Sequence, residues 1–381
     1  MAPVANSLRP QTIAVVIQYV APYMASLYRE VTKCLAARNI HLHVIAGTIH
    51  LKGRSFGIPD DWMHGFEHEY LNLMDFATPL KSGLVLIPDN RLLKALHQTD
   101  PALVWVHERN MLAVAASTWA RFKGRKSIYS TDVGDRPPEY ATTRFHRHYY
   151  QWLKGLYQGS ISMTQEAYLA ANPMDQPRIL IPHAVSTEDF SPPINRKPSE
   201  VFRFIFVGSL DERKGVDSLI DAASALWQER QDFEVRIVGG GPLEERLTSN
   251  GEAWISPAGH VPSSSVRNEY ESADAFILPS RQDTYAVVAH EAAACGLPLL
   301  IGRGAGASQV LLDEGRNGFL IDADDPPSIS KAMRWMLDHR DQMPAMSLAA
   351  RASAVQFGVE ANGEKLATWL CERLGESQMG K

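Results

Sequence analysis

Asp283-Thr-Tyr-Ala-Val-Val-Ala-His-Glu-Ala-Ala-Ala-Cys-Gly-Leu-Pro298 is the stretch on which the reading of this chain turns. No helix breaker interrupts residues 285–295. Thr284 is placed to cap the N-terminus, Gly296 to take the left-handed position after the last turn, and Pro298 to stop any continuation. The run is almost uncharged, so most of its surface is expected to be buried. Glu291 is the exception. A carboxylate on such a helix needs a partner or a ligand, because burying it unpaired is costly. A second carboxylate, Asp283, stands just ahead of the helix. Backbone N–H groups between the two acids point out of the helix N-terminus, where an anion is well placed. Two acceptors for hydroxyls on either side of an anion site describe a pocket for a sugar nucleotide. A buried helix with one core-paired glutamate is the plainer alternative.

The flanks are strand-like before (Ala275-Phe-Ile-Leu-Pro-Ser280) and a stop signal after. Working outward, the second half repeats one pattern: apolar runs at 204–207, 235–238, 275–278, 299–301 and 319–321, with helical segments between. The first half does the same at 12–17, 42–46, 103–106, 127–130, 159–163 and 178–181, with helices expected at 25–37 and 110–122. Runs apolar throughout suit strands buried on both faces of a parallel sheet, and their alternation with helices argues for doubly wound α/β domains. The Pro-rich segment 191–198 reads as the linker, giving a first domain 1–198 and a second 199–355. Residues 360–374 read as a closing helix. Ligands in such sheets bind beyond the carboxyl ends of the strands.

A chain of 381 residues has ample length for two cores. Its formal net charge of −5 gives no footing for nucleic acid. Cys34, Cys295 and Cys371 lie far apart, with neither disulfide-framework nor zinc spacing, so a cytoplasmic location is expected. The apolar run 13–17 is too short for a signal core, and no stretch is long enough to span a bilayer.

Polar residues sit where the strands end. Gly208-Ser-Leu-Asp-Glu-Arg-Lys-Gly215 follows 204–207 and opens a helix; a glycine-bearing loop with two cations at a sheet edge is how an anion is held. In the first half, His107 and Glu108 follow one strand and Asp132 another. Each could instead cap a helix or bind loop backbone.

On these residues the chain resembles the family-four retaining glycosyltransferases, of the GT-B fold. Asp283-x7-Glu291 is similar to that family's E-x7-E motif, with Asp in the first place. The resemblance implies that Glu291 holds the donor ribose and Asp283 hydroxyls of the donor sugar. The loop 208–215 resembles the family's Gly-Arg-Leu…Lys-Gly element, whose Arg and Lys bind the diphosphate. Lys214 matches the Lys. Ser209 stands at the Arg, and Arg213 is the nearest replacement. Gly239-Gly-Gly-Pro matches a tight strand-to-helix turn. Ala258-Gly-His-Val resembles the segment framing the nucleobase, so His260 and Val261 are base-side candidates. The donor set is then Gly208, Ser209, Arg213, Lys214, His260, Val261, Asp283, Tyr285, Ala286, Val287 and Glu291, with Lys214, Asp283 and Asp132 nearest the chemistry. His107 and Glu108 are further candidates in the first domain.

The fold implied is two facing Rossmann-like domains with the active site in the cleft between them, the closing helix crossing back to the first. The implied reaction moves a sugar from a nucleotide-diphosphate donor to an acceptor hydroxyl with retention, without cofactor or metal. The acceptor expected is a glycan or lipid-linked glycan of a cell-surface pathway. The alternatives are a nucleotide-sugar epimerase of the same fold or a non-catalytic sugar-nucleotide-binding protein.

Other features compete. Gly302-Arg-Gly304-Ala-Gly-Ala307 with Asp322 satisfies a dinucleotide fingerprint, but the helix between is short and too little chain follows. In the glycosyltransferase reading its glycines give backbone access to phosphate or sugar. Asp322-Ala-Asp324 imitates a metal motif in what reads as a solvated loop. The basic, aromatic segment 144–154, with Arg144, Arg147 and Lys154, suggests peripheral membrane contact, against an ordinary helix with a solvated basic face.

Overall fold

A computed structural model describes residues 10–49, 62–74, 86–108, 110–132, 152, 155–170, 176–193, 200–248 and 253–375. They fold as two compact units. One holds the chain up to Ile181 and from Asn362 onward; the other is Pro182–Ala361. The division falls ahead of the Pro-rich segment 191–198. The reason is packing: Val185 belongs to the core of the second unit, and Phe190 lies against it.

The first unit is built on β1 (Gln11–Ile17), β2 (Ile40–Ala46), β3 (Glu67–Tyr70), β4 (Leu103–His107), β5 (Lys126–Thr131), β6 (Ser160–Ser162) and β7 (Arg178–Leu180). The sheet order is β3-β2-β1-β4-β5-β6-β7, and every pairing is parallel. The all-apolar character of β1 follows from coverage of both faces. Ile13, Val15 and Ile17 enter one core with residues of the helix Pro22–Ala36. Ala14 and Val16 enter another, with residues of the helices Asn90–Thr99 and Met111–Phe122. The two-residue side-chain period of a strand sends alternate residues to opposite faces, so neither set can be polar. The closing helix Val359–Gly375 supplies Leu366, Ala367, Trp369, Leu370 and Leu374 to the first of these cores.

The second unit contains β8 (Phe202–Val207), β9 (Phe233–Val238), β10 (Ile255–Gly259), β11 (Ala275–Leu278), β12 (Leu299–Gly302) and β13 (Gly318–Ile321). Its order is β10-β9-β8-β11-β12-β13, again all parallel. The chain winds outward from β8 in one direction, then resumes beside β8 with β11 and winds the other way. In open α/β sheets, ligands bind at such a reversal, beyond the carboxyl ends of the central strands. In this unit the loops leaving those strands are the ones that carry Lys214 and Asp283.

Candidate functional site

The loop after β8 is shaped by its own residues. A single 3-10 turn, Glu212–Lys214, is capped by Asp211, whose Oδ1 accepts from the Lys214 N–H at 2.9 Å. Gly215 follows with φ +72°, and a Cβ there would collide with the Pro279 carbonyl, so this loop and the one after β11 are pressed together. The Arg213 carbonyl accepts from the Arg281 and Gln282 N–H groups at 2.9 and 3.3 Å. That contact brings Lys214 Nζ onto Asp283 Oδ2 as an ion pair, with the two side chains only 12% and 14% exposed. Arg213 stays more open. Its guanidinium lies 3.3 Å from Ser209 Oγ and 3.1 Å from the Gln282 carbonyl. A cation therefore stands beside Ser209, although the sequence puts no Arg at that position.

The helix begins later than its sequence suggests. It spans Val287–Ala294, and its N-cap is Ala286 in the left-handed region, φ 71° and ψ 67°. For a residue with a Cβ that conformation costs roughly 1–2 kcal/mol. Thr284 is exposed and does not cap the helix. Asp283 acts ahead of the helix: its Oδ1 accepts from the Ala286 N–H at 3.0 Å and the Tyr285 N–H at 3.3 Å. The expectation for the leading amides is corrected accordingly. Those of Tyr285 and Ala286 are taken by Asp283. Among the described residues none accepts from the N–H of Val287 or Val288, so two amides remain open at the start of the helix. The far end closes as the sequence indicates, with Gly296 N–H on the Ala293 carbonyl at 2.9 Å and Leu297 N–H on that of Ala292 at 3.0 Å.

Glu291 lies on the same helix, a turn beyond these amides. It is half-buried, and Oε2 accepts from Tyr270 Oη at 2.8 Å. Burial pushes its pKa up to about 7, with the phenol's hydrogen bond pulling the other way. Tyr270 ends far from Glu291 in sequence, on the helix Val266–Glu271 that follows β10, and nothing in the sequence marks it as the partner. The turn after β10 places His260 exposed, and Val261 half-buried against the core. The neighbour of Glu291, His290, is fully buried, with ring nitrogens 3.3 Å from the His183 carbonyl and 3.0 Å from that of Ala354. Burial lowers its pKa, so it is a neutral core residue.

The glycines of 302–307 answer to neighbouring chain. Asp283 N–H donates to the Gly304 carbonyl at 2.8 Å, and Gly306 N–H to that of Asp283 at 3.1 Å. A Cβ on Gly304 would strike the Arg281 carbonyl. Backbone packing accounts for the glycines of this loop. Asp324 pairs with Arg281 at 2.8 Å, and Asp322 Oδ1 accepts from the Asp324 N–H at 2.9 Å. Among the described residues no group of three or more His, Cys, Asp or Glu side chains is arranged to hold a metal ion.

In the first unit, Glu108 and Asp132 meet beyond the ends of β4 and β5. Glu108 adopts φ 57°, and its Oε1 accepts from the Asp132 N–H at 3.1 Å. Thr164 Oγ donates to the Asp132 carbonyl at 2.8 Å. His107 is turned into the core, 7% exposed, with Nε2 2.6 Å from Tyr28 Oη. Burial of that kind suits a packing role better than contact with a ligand. Of the basic segment 144–154, only Trp152 lies within the described residues; Arg144, Arg147 and Lys154 fall outside them.

Residues 201–339 match the family described as Glycosyl transferases group 1. D-inositol 3-phosphate glycosyltransferase of Thermobispora bispora is 27% identical over 191 residues, covering 46% of this chain and 44% of that protein. A GDP-mannose-dependent alpha-(1-6)-phosphatidylinositol monomannoside mannosyltransferase of Mycolicibacterium smegmatis is 29% identical over 215 residues, 51% of this chain and 56% of that one. The chain thus spans about half the length of the curated relatives it matches. Among solved structures, a glycosyltransferase from Rickettsia africae superposes with a TM-score of 0.73 at 16% identity, over 96% of this chain and 99% of that one. HepE of Anabaena, solved in complex with UDP, gives 0.72 at 14% identity, over 95% and 100%. These likenesses show the fold, two Rossmann-like α/β units of the GT-B type. Over residues 201–339 the chain is thus similar to the group 1 glycosyltransferases.

Proposed function

We propose that this protein transfers a sugar from a nucleoside-diphosphate sugar to an acceptor hydroxyl with retention of configuration. The observation that carries the proposal is the joint placement, at the chain reversal of the second sheet, of Lys214, Asp283 and two open amides, with Glu291 one turn further along the same helix. Lys214, Arg213 and the N–H groups of Val287 and Val288 take the diphosphate, with Gly208 and Ser209 forming the floor of the loop. Asp283 receives hydroxyls of the sugar, and Glu291, as the carboxylate, receives the ribose diol. Backbone around His260 and Val261 borders the base. In the first unit Asp132, whose N–H donates to Glu108, is proposed as a further polar candidate.

The bond from the anomeric carbon to the β-phosphate oxygen breaks, and negative charge grows on the departing diphosphate. Lys214 and the helix amides are already aimed at that charge, and losing one such contact typically costs roughly 3 kcal/mol in the barrier. The acceptor hydroxyl enters on the face the diphosphate leaves, and its proton passes to a phosphate oxygen. No carboxylate is assigned as a nucleophile.

The relatives' names speak of an inositol phosphate and a phosphatidylinositol mannoside, which supports a phosphorylated polyol or a lipid-linked glycan as acceptor. Work at the cytoplasmic face of a membrane follows for the lipid-linked case. Among the described residues no helix is long and apolar enough to cross a bilayer, so any membrane contact there is proposed as peripheral. Liposome flotation with Arg144, Arg147 and Lys154 reversed in charge tests that contact, and unchanged binding removes it.

The function is tested by thermal shift with UDP, GDP and ADP, then by nucleotide release from the matching sugars, with NMR of the product's anomeric configuration. Stabilisation by a nucleotide and slow release without acceptor support transfer. Sugar interconversion would make the protein an epimerase, binding without turnover would make it a carrier, and no binding at all would overturn the reading. An inverted product would remove retention.

A further inference from the structure

We infer that Arg281 is a positioning residue of the donor site: it takes no ligand, but sets the register in which Lys214 meets Asp283. The inference rests on the donor-site reading above. By sequence, a cation two residues ahead of Asp283 would pass for another phosphate ligand. Its hydrogen bonds exclude that. A guanidinium carries five N–H groups. Here Nε donates to Asp324 Oδ1 at 2.8 Å, and Nη1 to Asp217 Oδ1 at 2.8 Å and the Glu212 carbonyl at 2.6 Å. Nη2 donates to Asp217 Oδ2 at 2.9 Å, Ser218 Oγ at 2.7 Å and the Ala323 carbonyl at 3.3 Å. Every donor is spent on protein, and the fork on Asp217 is bidentate, the geometrically most specific form of this pair.

The acceptors come from three places. Glu212 lies in the loop after β8, Asp217 and Ser218 in the first turn of the helix Val216–Trp227, and Ala323 and Asp324 in the loop after β13. Ser218 Oγ in turn donates to the Ala323 carbonyl at 2.6 Å. The backbone of the same residue completes the join. Arg281 N–H donates to the Arg213 carbonyl at 2.9 Å, and Arg213 Nη1 returns to the Gln282 carbonyl at 3.1 Å. Lys214 is the next residue after one end of this stitch and Asp283 the next after the other. β8 and β11 are already paired through Ala275 with Phe204 and Phe276 with Ile205, so the sheet does not depend on Arg281. What it fixes is the chain beyond the strand ends. A displacement of about 1 Å in a group acting on the reacting atoms is enough to cost on the order of a hundredfold in rate.

The test uses the full chain with Arg281→Gln, Arg281→Lys and Asp217→Asn. UDP and GDP binding is followed by calorimetry, nucleotide release from UDP-glucose and GDP-mannose by steady-state kinetics, and loop order by amide hydrogen exchange. Arg281→Gln is expected to lower kcat by about ten- to a hundredfold while the donor KM moves much less, because Lys214 acts most strongly on charge that exists only in the transition state. Exchange is expected to quicken at 212–215 and 281–286 and not across the rest of the unit. Arg281→Lys restores part of the rate, and Asp217→Asn shifts the same readouts less. Wild-type kcat in Arg281→Gln, a loss confined to KM, or quickened exchange throughout the unit would each overturn the assignment. Should the wild type neither bind nor release a nucleotide, the donor-site reading fails, while the exchange pattern still decides whether Arg281 holds the two loops.

Discussion

Lys214 and Asp283 solve a shared problem at the scale of single residues. Each is a charge largely removed from water, and each makes the other's burial tolerable. Lys214→Ala takes away both the cation proposed for the diphosphate and the partner of Asp283. It is expected to cut turnover at least about tenfold, about 1.4 kcal/mol in the barrier, with circular dichroism showing the fold retained. Wild-type rates in that variant would remove Lys214 from the chemistry. Glu291 has the opposite situation, since its partner is a neutral phenol. Between the ordinary value of 4.5 and about 7 the folded protein keeps a proton that the unfolded chain has released. Stability attributable to this group therefore falls as pH rises through that window. Glu291→Gln abolishes the loss. It is expected to exceed the wild type in urea stability at pH 8 by up to about 3 kcal/mol, with the difference vanishing near pH 4. Nucleotide affinity of the wild type should rise with pH to about 7 and then level, whereas the Gln variant should show no such slope. A wild-type curve without that rise would detach Glu291 from the ribose.

At the scale of elements, the start of the helix Val287–Ala294 separates what a local pattern can say from what a neighbour imposes. Thr284 looks like a cap by type and place, yet the helix starts only after Ala286, whose left-handed conformation precedes it, and Asp283 binds the Tyr285 and Ala286 N–H groups of the turn ahead of the helix instead. Thr284→Ala is accordingly expected to change stability by less than about 0.5 kcal/mol, and Asp283→Ala to cost about 1 kcal/mol or more, because it loses two turn hydrogen bonds and leaves Lys214 without its partner. Equal effects in chemical denaturation would contradict this assignment. Gly215 is constrained from outside its own loop. Gly215→Ala meets the Pro279 carbonyl as well as a positive φ, so it should cost more than the roughly 1–2 kcal/mol of the backbone term alone and should also weaken nucleotide binding. The strands show the same contrast. Buried runs such as 13–17 and 204–207 declare themselves, because apolar neighbours cover both faces. β3 and β10 are not visible in the sequence as strands: each lies at a sheet edge, and their residues are only partly covered.

For the molecule as a whole, the two units repeat one winding, outward from a central strand and back on its other side, and the chain returns to the first unit with its last helix. Trp369 is 8% exposed within the core of that unit. Trp369→Ala is expected to cost about 3–5 kcal/mol, seen as an earlier unfolding transition for the first unit, while thermal shift by nucleotide persists in the second. Loss of nucleotide binding with a cooperative collapse of both units would show instead that their stabilities are inseparable.

Read alone, the chain's residues already mark out the two α/β units, the positions of nearly every buried strand, and the loops in which the proposed site residues lie. These are local properties: apolar runs, breakers, and charged residues placed just after strand ends. Tertiary structure alone decided which of those residues meet. It joined Lys214 to Asp283 across 69 positions of chain, gave Glu291 a tyrosine partner, brought Arg213 to the side of Ser209, and turned His107 inward. It also spent every donor of Arg281 on protein. Each outcome depends on how loops from strands far apart in sequence converge at one edge of a sheet, and no spacing along the chain encodes that convergence.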